Sequence, residues 1–234
     1  TITRQTFDCI DVIVPPVEKQ RAIAKVLSDL DDKIELNHQM NKTLETMGQA
    51  LFKRWFVDFE FPDDQGKPYK SFGGKMVNSE LGKIPKGWTV QTIGEIVQVV
   101  GGSTPSTKNP DFWDGCIHWA TPKDLSSLTS EVLLGTERRI TDIGLQEIGS
   151  GLLPVNTILL SSRAPIGYIA VTEIPVAINQ GFIGIICNNV IPPLFIKEWV
   201  KQNLEIIKGR ANGTTFQEIS KSNFRPIQIV VPPQ

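Results

Sequence analysis

The sequence predicts an α+β protein, a β-rich domain with a few helices joined to one long helix of coiled-coil type. Three observations carry this expectation. Forty residues, Val17 to Phe56, hold no proline and one glycine, Gly48, and repeat apolar side chains every three or four positions. From Trp88 onward the pattern changes to short β-branched runs punctuated by Gly, Pro, Asn and Ser. The opening residues also recur, without a gap, at the end of the chain. With 234 residues, 40% apolar and 21% charged, the chain can bury a real core and is too balanced for disorder.

In order along the chain, Ile2 to Val14 reads as strand and turn, closed by Pro15-Pro16. The proline pair then starts the helix, because proline's missing N–H is no loss in a first turn, and Glu18 adds a carboxylate near the positive end of the dipole. The apolar positions Ile23, Leu27, Leu30, Ile34, Leu44, Leu51 and Trp55 fall on a 4-3-4-3 spacing completed by Asn37, Asn41 and Gly48. That is a heptad seam, and its two asparagines exchange stability for register. Phe59 to Ile84 is rich in Gly and Pro among polar residues and reads as a connector. The runs Ile96–Val100, Thr157–Leu160, Tyr168–Thr172, Phe182–Cys187 and Ile227–Val231 are expected strands, and Pro193 to Lys208 an expected helix.

The repeat has a constant offset of 217 positions. Ile2, Phe7, Ile10, Val14, Pro15 and Pro16 are matched identically by Ile219, Phe224, Ile227, Val231, Pro232 and Pro233, and Arg4 pairs with Lys221. The expected organisation is therefore residues 1–16 as the terminal strand of a preceding unit and 17–58 as the long helix. Residues 59–85 form a connecting segment and 86–234 the β-rich domain. This is the layout of a piece of a two-repeat protein, or of a one-repeat form of it.

Composition excludes several classes. The 24 basic and 25 acidic residues leave a net charge of -1, so no basic excess announces a nucleic-acid partner. No apolar run approaches the roughly 18 residues of a helical membrane span. Cys9, Cys116 and Cys187 are scattered, which fits a reducing, cytoplasmic compartment better than a disulfide or zinc framework. Chemistry-bearing motifs are absent too. Asn109-Pro110-Asp111-Phe112 departs from the loop of amino-methyltransferases at its third residue and follows no cofactor strand. There is no phosphate-binding GxxxxGK[ST] and no GxSxG, and His38 and His118 lack metal or triad partners nearby. We expect no catalytic residue, no metal and no cofactor in this chain.

What remains are polar-tipped loops. Gly101–Lys108 reads as a flexible, hydroxyl-rich segment; Ser161–Arg163, Asn179–Gly181 and Lys208–Thr215 are similar in kind. Arg, Asn, Gln, Ser and Thr are the side chains that pair with base edges and phosphates.

An ordered set of motifs then narrows the reading. It comprises Leu81-Gly-Lys-Ile-Pro-Lys-Gly-Trp88, Gly101-Gly-Ser-Thr-Pro105, Phe112-Trp-Asp-Gly-Cys-Ile-His-Trp119 and Thr121-Pro-Lys-Asp124. Leu153–Ser161, Arg163-Ala-Pro-Ile-Gly167, Asn179-Gln-Gly181 and Gly213-Thr-Thr215 follow, and Leu51–Phe59 closes the helix. Together they resemble the specificity subunit of type I restriction–modification enzymes, over nearly the whole chain. The resemblance implies a target recognition domain that reads one half of a bipartite site in double-stranded DNA. In the full subunit two such domains are separated by two long antiparallel helices acting as a ruler. It implies partners as well: methyltransferase subunits that bind S-adenosylmethionine, and an ATP- and Mg2+-dependent restriction subunit, with those cofactors held by the partners.

On this resemblance the residues expected at DNA are Ser103, Thr104, Lys108, Lys123, Arg163, Asn179, Gln180, Arg210, Thr214 and Thr215. Arg138, Arg139 and Lys221 are expected as further phosphate anchors. With one spacer helix instead of two, the seam is expected to be covered by a second copy of the chain. The aromatic cluster Phe52, Trp55, Phe56 and Phe59 has two readings, packing on the recognition domain or a subunit interface. The rival function is an assembly or dimerisation protein that reads no sequence.

Overall fold

The computed structural model describes residues 7–11, 13–188, 191–213 and 217–233. It forms two compact units, Thr1–Thr46 and Met47–Gln234. In the first, Phe7 and Asp8 make a helical turn closed by the Ile10 N–H on the Phe7 carbonyl at 3.2 Å. Ile10, Asp11, Ile13 and Val14 lie in no strand, contrary to expectation; the rest of that expected strand lies outside the described residues. A strand needs a ladder partner, and among the described residues these four have none.

Helix α1, Val17–Phe52, begins directly after the proline pair. The Gln20 side-chain amide reaches back to the Pro15 carbonyl at 2.7 Å. Ile23, Leu27, Leu30, Ile34 and Leu44 form the expected stripe, and every one is more than half exposed. Asn37 and Asn41 are exposed in the same stripe.

In the second unit the helix ends by widening into a π turn, Lys53–Val57. This delivers Phe52 and Phe56 onto Phe195, with ring centroids 5.2 and 4.9 Å apart, and Phe59 edge-on to Trp88 at 5.5 Å. Three of the four aromatic residues at the helix end therefore pack inside their own unit, and Trp55 remains half-buried. The connector is folded rather than a linker. Strands β1 (Met76–Ser79) and β2 (Gly82–Pro85) form a hairpin, and Phe61 stacks on both Tyr69 and Trp88.

The remaining elements run in chain order as follows. Strand β3 (Thr89–Thr92), helix α2 (Ile93–Ile96) and β4 (Val97–Gly101) come first, then β5 (Trp113–Ala120), α3 (Pro122–Ser126), β6 (Val132–Leu133) and β7 (Arg138–Ile140). Next are α4 (Asp142–Gln146), β8 (Ile158–Ser161), β9 (Ile169–Thr172), β10 (Val176–Ile178) and β11 (Phe182–Cys187). The chain closes with α5 (Pro193–Gln202), α6 (Leu204–Gly209), α7 (Lys221–Phe224) and β12 (Gln228–Val231).

The central sheet has the order β4-β11-β8-β9-β6, a second sheet β10-β5-β7, and β12 pairs antiparallel with β3. Period two explains how the central sheet is buried on both faces. Ile158 and Leu160 of β8, with Ile183 and Ile185 of β11, enter the core shared with Ile196, Trp199 and Val200 of α5. Leu159 and Phe182 point the other way, onto Val176 and Ile178 of β10 and Ala120 of β5. Beside α5, Glu131 accepts hydrogen bonds from Lys197 at 2.8 Å and from Lys201. Burial raises the Glu131 pKa, but the two ammonium groups outweigh it and hold the carboxyl below its ordinary value.

Candidate nucleic-acid interface

Strand register gathers four loops at one end of the central sheet. Gly101 lies beside Ile183 and Phe182 beside Ser161, so the end of β4, the start of β11 and the end of β8 are neighbours. Ile178 pairs with Ala120, which brings the ends of β10 and β5 there through the 179–181 turn. Loops 102–109, 121–126, 162–168 and 179–181 all leave from this end.

The 102–109 loop is pinned, not flexible as its composition suggests. At Gly102 a Cβ would stand 1.9 Å from the Ile178 carbonyl oxygen, so only glycine permits this approach. The Ser103 N–H donates to that carbonyl at 3.1 Å. The Trp119 indole donates to the Ser103 carbonyl at 3.2 Å and the Trp113 indole to the Ser106 carbonyl at 3.1 Å. The Ser103 hydroxyl is directed to the Glu147 carbonyl, and the exposed Thr104 hydroxyl donates to the Gln180 side chain. Lys108 is exposed on the same loop.

The 179–181 turn is closed by the Asn179 carboxamide oxygen, which accepts the Gly181 N–H at 2.8 Å. Asn179 is thus half-buried turn chemistry, and Gln180 is the exposed member of the pair. Lys123 projects from α3, whose N-terminus is closed by Asp124 on the Thr121 N–H and hydroxyl. Its ammonium donates to Glu137 at 2.7 Å, and that hydrogen bond raises its pKa. Asp124 also accepts the Glu137 N–H at 2.7 Å, tying α3 to the strand that follows.

Beyond β8, the buried Ser161 hydroxyl donates to the Pro165 carbonyl and accepts the Gly167 and Tyr168 N–H groups, shaping the 162–168 loop. Arg163 on that loop faces Glu218 at 3.7 Å. Glu218 exchanges backbone hydrogen bonds with Asn212, so the segment after exposed Arg210 joins the same end. The side chain of Lys221 runs over Gly101. Thr214 and Thr215 lie outside the described residues.

A domain with twelve Lys/Arg and twelve Asp/Glu in residues 86–234 thus gathers Lys108 and Arg163 on loops, Lys123 on α3, Arg210 after α6 and Lys221 at the start of α7 toward one end. The sequence reading missed Trp113 and Trp119 as the pegs of the first loop. They sit edge-to-face, 5.1 Å apart, with the Arg138 guanidinium 3.6 Å over the Trp113 ring. Their pairing depends on the β5–β7 ladder with its irregularity between Trp113 and Ile117, which no local pattern announces. On the other face of β7, Arg139 lies opposite His118; burial first, and Arg139 second, keep the imidazole pKa below its ordinary value. No group of acidic, His and Cys side chains able to hold a metal occurs among the described residues. Among them no helix is long and apolar enough to cross a membrane.

The family model for the type I restriction modification DNA specificity domain matches residues 1–46 and 85–234. The MjaIX type I restriction enzyme specificity subunit of Methanocaldococcus jannaschii is 41% identical over 161 residues, covering 66% of this chain and 36% of that protein. The HindI specificity subunit of Haemophilus influenzae is 26% identical over 286 residues, covering 99% of this chain and 62% of its own. This chain therefore spans less than two thirds of these curated relatives. The solved HsdS subunit from Thermoanaerobacter tengcongensis shares the fold at a TM-score of 0.50 and 18% identity, over 94% of this chain and 48% of that one. A chain of a solved type I R-M complex matches at a TM-score of 0.51 and 18% identity, over 94% and 49%. Matched by the family model over most of its length, the chain belongs to the family of type I restriction–modification DNA specificity domains.

Proposed function

We propose that this chain is the DNA-reading, non-catalytic part of a type I restriction–modification system, acting in the cytoplasm. Its recognition domain lays the 102–109, 121–126, 162–168 and 179–181 loops against the major groove of double-stranded DNA, where all four base pairs are distinguishable. The observation that carries this reading is the convergence of those loops, which bear Lys108, Lys123 and Arg163, at one end of a domain matched by a DNA-specificity family. Methylation and cleavage belong to partner subunits that dock on the chain and hold S-adenosylmethionine, ATP and Mg2+. Residues 2–16 repeat the sequence of Ile219–Pro233, the segment that closes the recognition domain, in keeping with a family of repeated recognition units.

The exposed seam of α1 supports a second part of the reading, pairing with another copy. Burying a leucine-sized side chain contributes roughly 1.5–3 kcal/mol, and five such residues stand open. In an antiparallel pair, a positions meet d positions. Asn37 then faces the partner's Asn41, Ile34 the partner's Leu44, Leu27 the partner's Leu51 and Ile23 the partner's Trp55. Two polar residues meet at the centre and apolar residues meet on either side. A dimer in sedimentation that Leu30→Asp converts to a monomer is the expected result.

The function is tested by mixing the full chain with its methyltransferase subunits and sequencing the duplexes selected from a random pool. A bipartite inverted repeat with a fixed spacer is expected. A single short half-site would retain DNA reading and remove the dimeric ruler. No selected sequence would favour an assembly protein.

A further inference from the structure

We propose that Arg138 is a specificity-determining residue that reads a guanine, rather than the phosphate anchor its sequence context suggests; the proposal rests on the DNA-reading function above. Its guanidinium carbon lies 3.6 Å from the centroid of the Trp113 ring and 5.4 Å from that of Trp119. Those same two indoles hold the Ser106 and Ser103 carbonyls. One pair of rings therefore sets both the hydroxyl loop and the arginine beside it.

The backbone under Arg138 is fixed as well. It pairs with Trp119 in the β5–β7 ladder, its carbonyl accepts the Thr136 hydroxyl at 2.7 Å, and Thr136 in turn touches His118 Nδ1 at 3.1 Å. Glu137 next door is already committed to Lys123, and its N–H to Asp124. Among the described residues no carboxylate forms an ion pair with Arg138, whereas Lys123 and Arg163 each face one.

This combination matters for what the side chain can do. A guanidinium held over an indole ring is confined by that contact, which limits the rotamer freedom lost on binding. A pre-set fork matches the O6 and N7 acceptors of guanine in the major groove, a bidentate pair. Phosphates need only a mobile charge, and exposed Lys108, Arg210 and Lys221 supply that at the same end.

The test uses the full chain with its methyltransferase subunits, on the site found by selection. Each guanine of a half-site is replaced in turn by 7-deazaguanine, which lacks the N7 acceptor, and affinities are compared for wild type, Arg138→Ala and Arg138→Lys. Wild type should lose roughly tenfold or more at one guanine, while Arg138→Ala binds natural and deaza duplexes alike. Arg138→Lys should keep the wild-type salt dependence. Three results overturn the proposal: no guanine sensitive in the wild type, an Arg138→Ala variant that keeps the wild-type sensitivity, or equal weakening on every duplex with a shallower salt slope that Arg138→Lys restores. A wild-type chain that selects no sequence removes the function beneath the proposal, an outcome distinct from all three because each of those leaves selection intact.

Discussion

Residues 7–16 and 224–233 share the pattern Phe, Ile, Val, Pro-Pro at the same spacing and meet opposite fates. Phe224 and Ile227 are 0% and 2% exposed, and the strand that follows them pairs with β3. Phe7 and Ile10 are 67% and 55% exposed, and among the described residues no strand follows. Propensity is alike in the two copies, so the difference comes from what surrounds them: β3 and the core around Trp199 in one case, solvent in the other. A β-strand is a property of a pair of segments, and its own sequence is half of the cause.

The sharpest way to break this comparison is to truncate both phenylalanines. Phe224→Ala should lower unfolding free energy by about 3–5 kcal/mol, and Phe7→Ala should stay within about 0.5 kcal/mol, the range of exposed positions. Denaturant titration of both variants reads this directly. Equal effects would mean that the N-terminal copy is as well covered as the C-terminal one.

Ion pairs give the next largest contrast. Lys197→Ala leaves the half-buried Glu131 with Lys201 alone and should cost about 1–3 kcal/mol. Lys25→Ala breaks an exposed helix pair with Asp29 and should cost about 0.3–0.5 kcal/mol. The same carboxylate sets a pH dependence. Because its folded pKa lies below the ordinary 4.5, the unfolded chain takes up the proton first as pH falls. The stability it contributes is present above about pH 4.5 and lost below, through the folded pKa. Glu131→Gln should flatten that stretch of the acid-unfolding curve.

The smallest contrast is chemical. Burial pushes the Cys187 thiol up to about 11, so at pH 8 it is almost wholly protonated. Cys9 and Cys116 are exposed and should react with iodoacetamide well before it. Mass spectrometry after brief labelling would show the order, and early modification of Cys187 would contradict the packing around it.

These contrasts also show what could be read in advance. The long helix and strands β8, β9 and β11 were legible because their apolar periods are strong and their cores are local to the pattern. The hairpin of Met76–Pro85 was not, since its cohesion comes from Phe61, Tyr69 and Trp88 meeting across a polar, glycine-rich stretch. Strand β5 was hidden in the same way, by Asp114 and Gly115 at its irregularity. The candidate loops were found from composition, but their convergence needed strand register. The pinning of Ser103 and Ser106 by two distant indoles has no signature in the loop itself. Asn179 shows the converse, a residue named for base contact whose carboxamide oxygen closes its own turn.

The claim on which the account turns is the location of the DNA surface. Hydrogen exchange of the chain with its methyltransferase subunits, with and without the selected duplex, tests it most directly. DNA-dependent protection is expected in loops 102–109, 162–168 and 179–181 and none at the opposite end of the central sheet, in residues 153–157. Protection at 153–157 with the three loops unchanged would contradict it.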